Sequence, residues 1–177
     1  MEKKNFGIAS LRGARDIGFQ NWRRIGQLPC LDAKGVRLVQ YRKVENGYFL
    51  RLEKGEEVVF SIAQFAANEK VSSGAFFGLG AINNFDLGYY DLVKRKYEKA
   101  HFVEDMEVGN ITGNIASLDG KPFVHTHVTV SGKDLKAFTG HLFSADVALT
   151  LEIFVFASSA KVERKMNPEI GLNLLEL

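Results

Sequence analysis

Two turn dipeptides fix most of what this chain can become. Asn46-Gly47 lies between the loosely alternating run Val36–Lys43 and the run Tyr48–Leu52, and Asp119-Gly120 lies between Met106–Leu118 and Pro122–Ser131. Asn-Gly and Asp-Gly accept the positive φ angles that two-residue hairpin loops demand, so each predicts an antiparallel strand pair. Ala75–Ile82, Phe85–Val93 and Tyr97–Val103 are further apolar, aromatic and β-branched runs. Val147–Phe156 is nearly continuous in apolar side chains, as a central strand buried on both faces should be. One helix stands out. Val58, Val59, Ile62, Phe65 and Ala66 share a face, Glu56 and Glu57 precede them at the positive end of the helix dipole, and Ser72-Ser73-Gly74 should stop it. Gly132–Thr139 reads as a loop or short helix, and the four leucines of Gly171–Leu177 predict a tail that packs. The expected fold is α+β: a mostly antiparallel β-sheet of about seven strands flanked by helices, in a single domain.

The length of 177 residues with 46% hydrophobic content suits one buried core. No apolar run approaches the ~20 residues of a membrane span, and the N-terminus carries no apolar signal region, so a cytoplasmic location is expected. Cys30 is the only cysteine, which excludes an intrachain disulfide framework. Charge is uneven. Residues 1–37 hold eight basic and three acidic side chains, a balance of +5, while the remainder holds fifteen and eighteen, a balance of −3. Residues 1–35 are therefore taken as a basic N-terminal extension, where any attraction to DNA would concentrate, and residues 36–177 as the folded domain.

Three of the four histidines fall within seventeen residues: His125, His127 and His141. Alternate side chains of a strand share a face about 6.6 Å apart, so Phe123, His125, His127 and Thr129 face one way and Val124, Thr126, Val128 and Val130 the other. Such a pair can aim two imidazoles at one metal, and His141 supplies a third if its segment returns beside this strand. Three neutral imidazoles would leave a zinc, or another divalent transition metal, with its full charge and an open coordination position. That position suits water, hydroxide or a carboxylate, and acidified water there would permit hydrolysis. Glu152, and less convincingly Asp146, are the carboxylates that would orient a ligand or act as general base. Spacing alone leaves a second reading open, in which His125 and His127 are half-buried sheet histidines satisfied by backbone groups.

At this point the chain resembles the PPC (plants and prokaryotes conserved) domain family, found with AT-hooks in plant proteins. The likeness runs from about Val36 to Leu175. It is carried by Gly55-Glu56-Glu57-Val58, Phe77-Gly78-Leu79-Gly80-Ala81, Gly113-Asn114, Asp119-Gly120-Lys121-Pro122-Phe123-Val124-His125-Thr126-His127, Gly140-His141-Leu142 and Thr150-Leu151-Glu152. The resemblance implies an antiparallel sheet flanked by helices and a homotrimer. It also implies histidines near a subunit interface that hold zinc in prokaryotic members. One departure matters: Thr139 stands where the family usually has the first glycine of Gly-Gly-His. A threonine forced to positive φ there would be strained and would displace His141.

Gly78-Leu79-Gly80-Ala81 is followed by Asn83-Asn84 and another strand pattern, so it fails as a dinucleotide fingerprint and reads as packing glycines. Arg12-Gly13-Ala14-Arg15 lacks the proline of an AT-hook, Cys30 has no histidine nearby, and Lys94-Arg95-Lys96 reads as a solvated turn. Two functions remain. The first is a metal-bearing homotrimer that binds a small molecule or acts on it as a zinc-dependent hydrolase. The alternative is a DNA-binding accessory protein or transcriptional regulator, as the plant relatives suggest.

Overall fold

The computed structural model describes residues 39–177. The basic extension, Cys30, the Arg12–Arg15 motif and the start of the Val36 run lie outside them. Among the described residues the elements are β1 (Gln40–Val44), β2 (Gly47–Glu53), α1 (Val58–Asn68), β3 (Ser73–Asp91), β4 (Lys96–Phe102), β5 (Met106–Leu118), β6 (Lys121–Ser131), β7 (Ala137–Ser158), β8 (Glu163–Asn167) and β9 (Leu172–Glu176). Nine strands form one sheet, antiparallel except for a parallel bridge between Ser117 and Glu163. The expected flanking helices reduce to one, so the architecture is mostly β. No described helix is long and apolar enough to cross a membrane.

Both hairpins form. Asp119 and Gly120 take φ of 51° and 74°, which lets β5 turn directly into β6 with Leu118 opposite Lys121. In the first hairpin the loop is Glu45-Asn46, and Gly47 already pairs with Val44, one residue earlier than the dipeptide suggests. Glu57 caps α1 by accepting the Phe60 backbone N–H, and its other carboxylate oxygen takes the Ala145 N–H at 3.1 Å. The cap thus ties the helix to β7 as well as satisfying a first-turn donor. Val58, Ile62, Phe65 and Ala66 are buried, as their spacing predicts. The helix ends at Asn68, with Lys70 at φ 55°, so Ser73-Gly74 opens β3 rather than stopping the helix.

Ala75–Ile82 and Phe85–Val93 are not separate strands. They are one nineteen-residue strand that bends between them, where Asn84 takes φ 45° and the register with β7 shifts between Asn83 and Asp86. Asn tolerates the left-handed region and absorbs the bend without ending the ladder. β7 is longer still and starts within the expected loop. Its first half pairs with β6, its second with β2, and both halves with β3. Pairing therefore runs from β5 through β6, β7 and β3 back to β5, a closed circuit around a core of Phe76, Ile111, Val128, Leu142 and Ile153. Gly80 sits at the tightest approach of β3 to β7, where a Cβ would meet the Thr150 carbonyl oxygen at 2.1 Å.

Candidate metal centre

β6 alternates as its sequence dictates. Val124, Thr126, Val128 and Val130 are buried on the core side, which leaves His125 half-buried and His127 exposed on the outer face. The loop after Ser131 returns the chain antiparallel, with His141 directly opposite His127 and Asn114 of β5 opposite His125. The three ring centroids lie 5.2, 5.1 and 5.4 Å apart, and one ring nitrogen from each lies within 4.8 Å of the others. Ligands of a tetrahedral zinc with bonds of about 2.0–2.1 Å sit about 3.3–3.4 Å apart, so small ring rotations close the remaining gap. The three residues singled out from spacing are brought together.

Thr139 does not disturb them. It is not among the residues with positive φ; it stays in register opposite Thr129 and donates to the Val128 carbonyl at 2.8 Å. The strain expected at this position does not arise, because the turn that needs unusual φ angles lies earlier, at Leu135, where φ is 60°.

His141 packs between Tyr97 and Phe143, with centroids at 4.9 and 4.6 Å, and its buried Nδ1 has no hydrogen-bond partner among the described residues. An orphaned imidazole nitrogen inside a cluster of imidazoles suits a set of metal ligands, since a buried polar atom calls for a partner. Burial, with His125, His127, Lys99 and Arg164 adding positive charge, pushes the His141 pKa down to about 4. Burial lowers His125 as well, followed by Arg164 and His127. Both rings are neutral at neutral pH, the form that offers a lone pair to a metal. The residues present fit a metal ion held by three histidines.

Arg164 of β8 completes the surroundings and was not foreseen. Its Nη2 donates to Asn114 Oδ1 at 2.7 Å and lies 3.3 Å from His125 Nδ1, while Nη1 donates to the Asn173 carbonyl at 2.7 Å. Lys161 to Lys165 holds four charged side chains and one valine, so nothing in that stretch of sequence marks a buried position. The structure does not bring Glu152 to the triad. It is exposed, pairs with Arg51 and Leu79, and lies eleven residues beyond His141 along β7, roughly 36 Å of strand. Asp146 accepts from Asn84 at 2.6 Å, and His101 pairs with Asp86 at 2.8 Å, so both are engaged elsewhere.

Residues 39–159 match the sequence model of the Plants and Prokaryotes Conserved (PCC) domain. A candidate DNA-binding protein from Bacteroides thetaiotaomicron superposes with a TM-score of 0.76 at 32% identity, over 79% of this chain and 98% of its own. A metal-containing protein from Archaeoglobus fulgidus gives 0.70 at 32%, over 80% and 100%. A plant- and prokaryote-conserved (PPC) protein from Pyrococcus horikoshii gives 0.70 at 30%, over 79% and 95%. Among curated proteins nothing matches.

Proposed function

The chain belongs to the Plants and Prokaryotes Conserved domain family, and on that footing we propose a homotrimeric cytoplasmic protein that binds a small molecule at a zinc held by His125, His127 and His141. The observation that carries this reading is the convergence of three imidazoles from paired strands, with the buried Nδ1 of His141 left without a hydrogen-bond partner among the described residues. The Archaeoglobus neighbour, described as metal-containing, supports it. A zinc held by three imidazoles would polarise a bound carboxylate or carbonyl and acidify a coordinated water, the chemistry of a hydrolase. The chain's own contribution is to orient the rings through the β6–β7 register, to keep those of His125 and His141 unprotonated by burial, and to wall the site with Tyr97 and Phe143. Glu152 has no part in this reading within one chain.

Metal analysis of protein purified without added metal tests it. About one equivalent of zinc per chain is expected. Less than a tenth of an equivalent, not recovered on adding zinc, would remove the basis of the proposal.

The trimer gains support from the outer face of β2, β3 and β7, where Phe49, Phe77, Leu79 and Phe156 remain 56, 50, 60 and 47% exposed around Phe154. An apolar patch of that kind is expected to be covered by a partner. It continues towards the histidines, since Phe77 pairs with Thr112 and Thr112 with His127. Sedimentation equilibrium should give about three times the 19.7 kDa chain mass, reduced to one chain by Phe77→Asp; a wild-type monomer refutes the assembly.

A second reading, a DNA-associated regulator, is favoured by the Bacteroides neighbour and by the +5 balance of residues 1–37, which a trimer would present three times. The −3 balance of the remainder argues against a broad DNA-binding face. Gel retardation at low salt decides between them: no shift at tens of micromolar protein eliminates DNA.

A further inference from the structure

Arg164 is the one charged side chain buried among the described residues, at 7% exposure. No described carboxylate lies within ion-pair distance of it. Its described partners are an amide oxygen, a backbone carbonyl, the His125 ring and the face of Phe123 at 5.0 Å, and its buried Nε has no hydrogen-bond partner among the described residues. A guanidinium taken out of water without an anion is strongly unfavourable, so the surroundings are short of a negative charge.

Metal binding at the triad deepens that shortage. A guanidinium has donors only, so His125 Nδ1 must offer its lone pair to Nη2, and the ring proton then sits on Nε2. A neutral imidazole has one such lone pair. If the metal takes Nδ1, the pair is consumed; if it takes Nε2, the proton moves to Nδ1. By either route Arg164 loses its acceptor on His125 as the ion arrives. A freed N–H then stands beside a divalent cation, with no acidic ligand among the three histidines.

We propose that an organic carboxylate completes the site, one oxygen on the metal's open position and its charge held by the N–H groups of Arg164. This rests on the zinc reading above. The aromatic surroundings choose the class of anion. Phe123 lies against the guanidinium and Tyr97 and Phe143 flank His141, surfaces that suit the apolar body of an organic acid and cannot replace the hydration of phosphate.

Isothermal titration of the zinc-loaded full chain with acetate, benzoate and inorganic phosphate tests the assignment. Both carboxylates should bind the wild type, and Arg164→Met should weaken them at least tenfold while zinc stays near one equivalent. Arg164→Lys, which keeps the charge but loses the planar fork, should fall between; should the Met variant not fold, at least a threefold loss in the Lys variant is required. Carboxylate binding to zinc-replete Arg164→Met within twofold of wild type, equal binding by wild type and Arg164→Lys, or a preference for phosphate overturns this inference alone. Wild-type protein that holds no zinc overturns the metal reading and this one with it.

Discussion

Two antiparallel strand pairs meet at the histidines, and they are held in opposite ways. β6 and the first half of β7 belong to the closed strand circuit: each has a neighbour on both sides and buries one full face, from Val124 through Val130 to Leu142. β8 and β9 pair with each other over five residues and join the rest of the sheet through the single bridge Ser117–Glu163. The first pair buries valines and presents histidines. The second buries an arginine, and its other side chains are half-buried or exposed. The lesson is that the geometry of a site can be fixed by one element and its charge set by another that is far more weakly anchored.

The largest expected effect tests whether the first pair alone holds the metal. His127 is exposed and packs little, so His127→Ala should leave the fold intact while removing a ligand. Zinc affinity should fall a hundredfold or more, about 3 kcal/mol, because two imidazoles no longer compete with water for the ion. Competition with a zinc-binding dye measures it. Affinity unchanged within threefold would mean that His127 is not a ligand.

Next comes the difference in anchoring. Backbone amides of β8 and β9 should exchange with solvent about a hundredfold faster than those of β6, a gap of about 3 kcal/mol in local opening, since a single ladder bridge joins them to the rest of the sheet. Hydrogen exchange read by mass spectrometry resolves the two segments. Equal protection would show the C-terminal pair to be an integral part of the core, and Arg164 a fixture rather than a movable contact.

The same difference explains what could be read from the sequence. Asp119-Gly120 and the valine alternation of β6 placed His125 and His127 on one face, because inward side chains there are apolar and outward ones polar. His141 followed from a return strand, though its start at Ala137 was taken for a loop: Ala137–Gly140 carries little apolar pattern and is fixed by cross-strand pairing with Val128–Ser131. β8 was invisible for a physical reason. Its only buried side chain is charged, so Glu163–Asn167 shows no hydrophobic period, and Arg164 is recognised through Asn114 and His125, far away in sequence. Glu152 misled because the length of β7 was underestimated; a shorter strand would have kept it near His141.

Acid sharpens the contrast from the side of protonation. His141 falls from 6.5 to about 4 on folding, and His125 moves the same way, so the unfolded chain binds protons the folded chain refuses. Stability is therefore complete above about pH 6.5 and drains as pH falls towards 4. For the partly exposed His141 ring, screening leaves about 1–2 kcal/mol of the full shift. Thermal melts of zinc-free protein at pH 7 and 4.5 should show this loss, and His141→Gln should flatten it. A melt independent of pH across that interval would mean the ring is already solvated.

The smallest effect concerns Thr139, where the chain departs from its family. Its hydroxyl donates to the Val128 carbonyl and receives the Thr129 hydroxyl at 3.2 Å, a cross-strand pair two residues from the His127–His141 pair. Such pairs contribute about 0.2–1 kcal/mol, so Thr139→Ala should cost about 0.5 kcal/mol in denaturant unfolding. The histidines are held by the backbone ladder on either side, and zinc content should not change. A variant that loses zinc while losing so little stability would show that the threonine itself sets the angle of His141, and that the strand pair is less rigid at the metal than its pairing pattern implies.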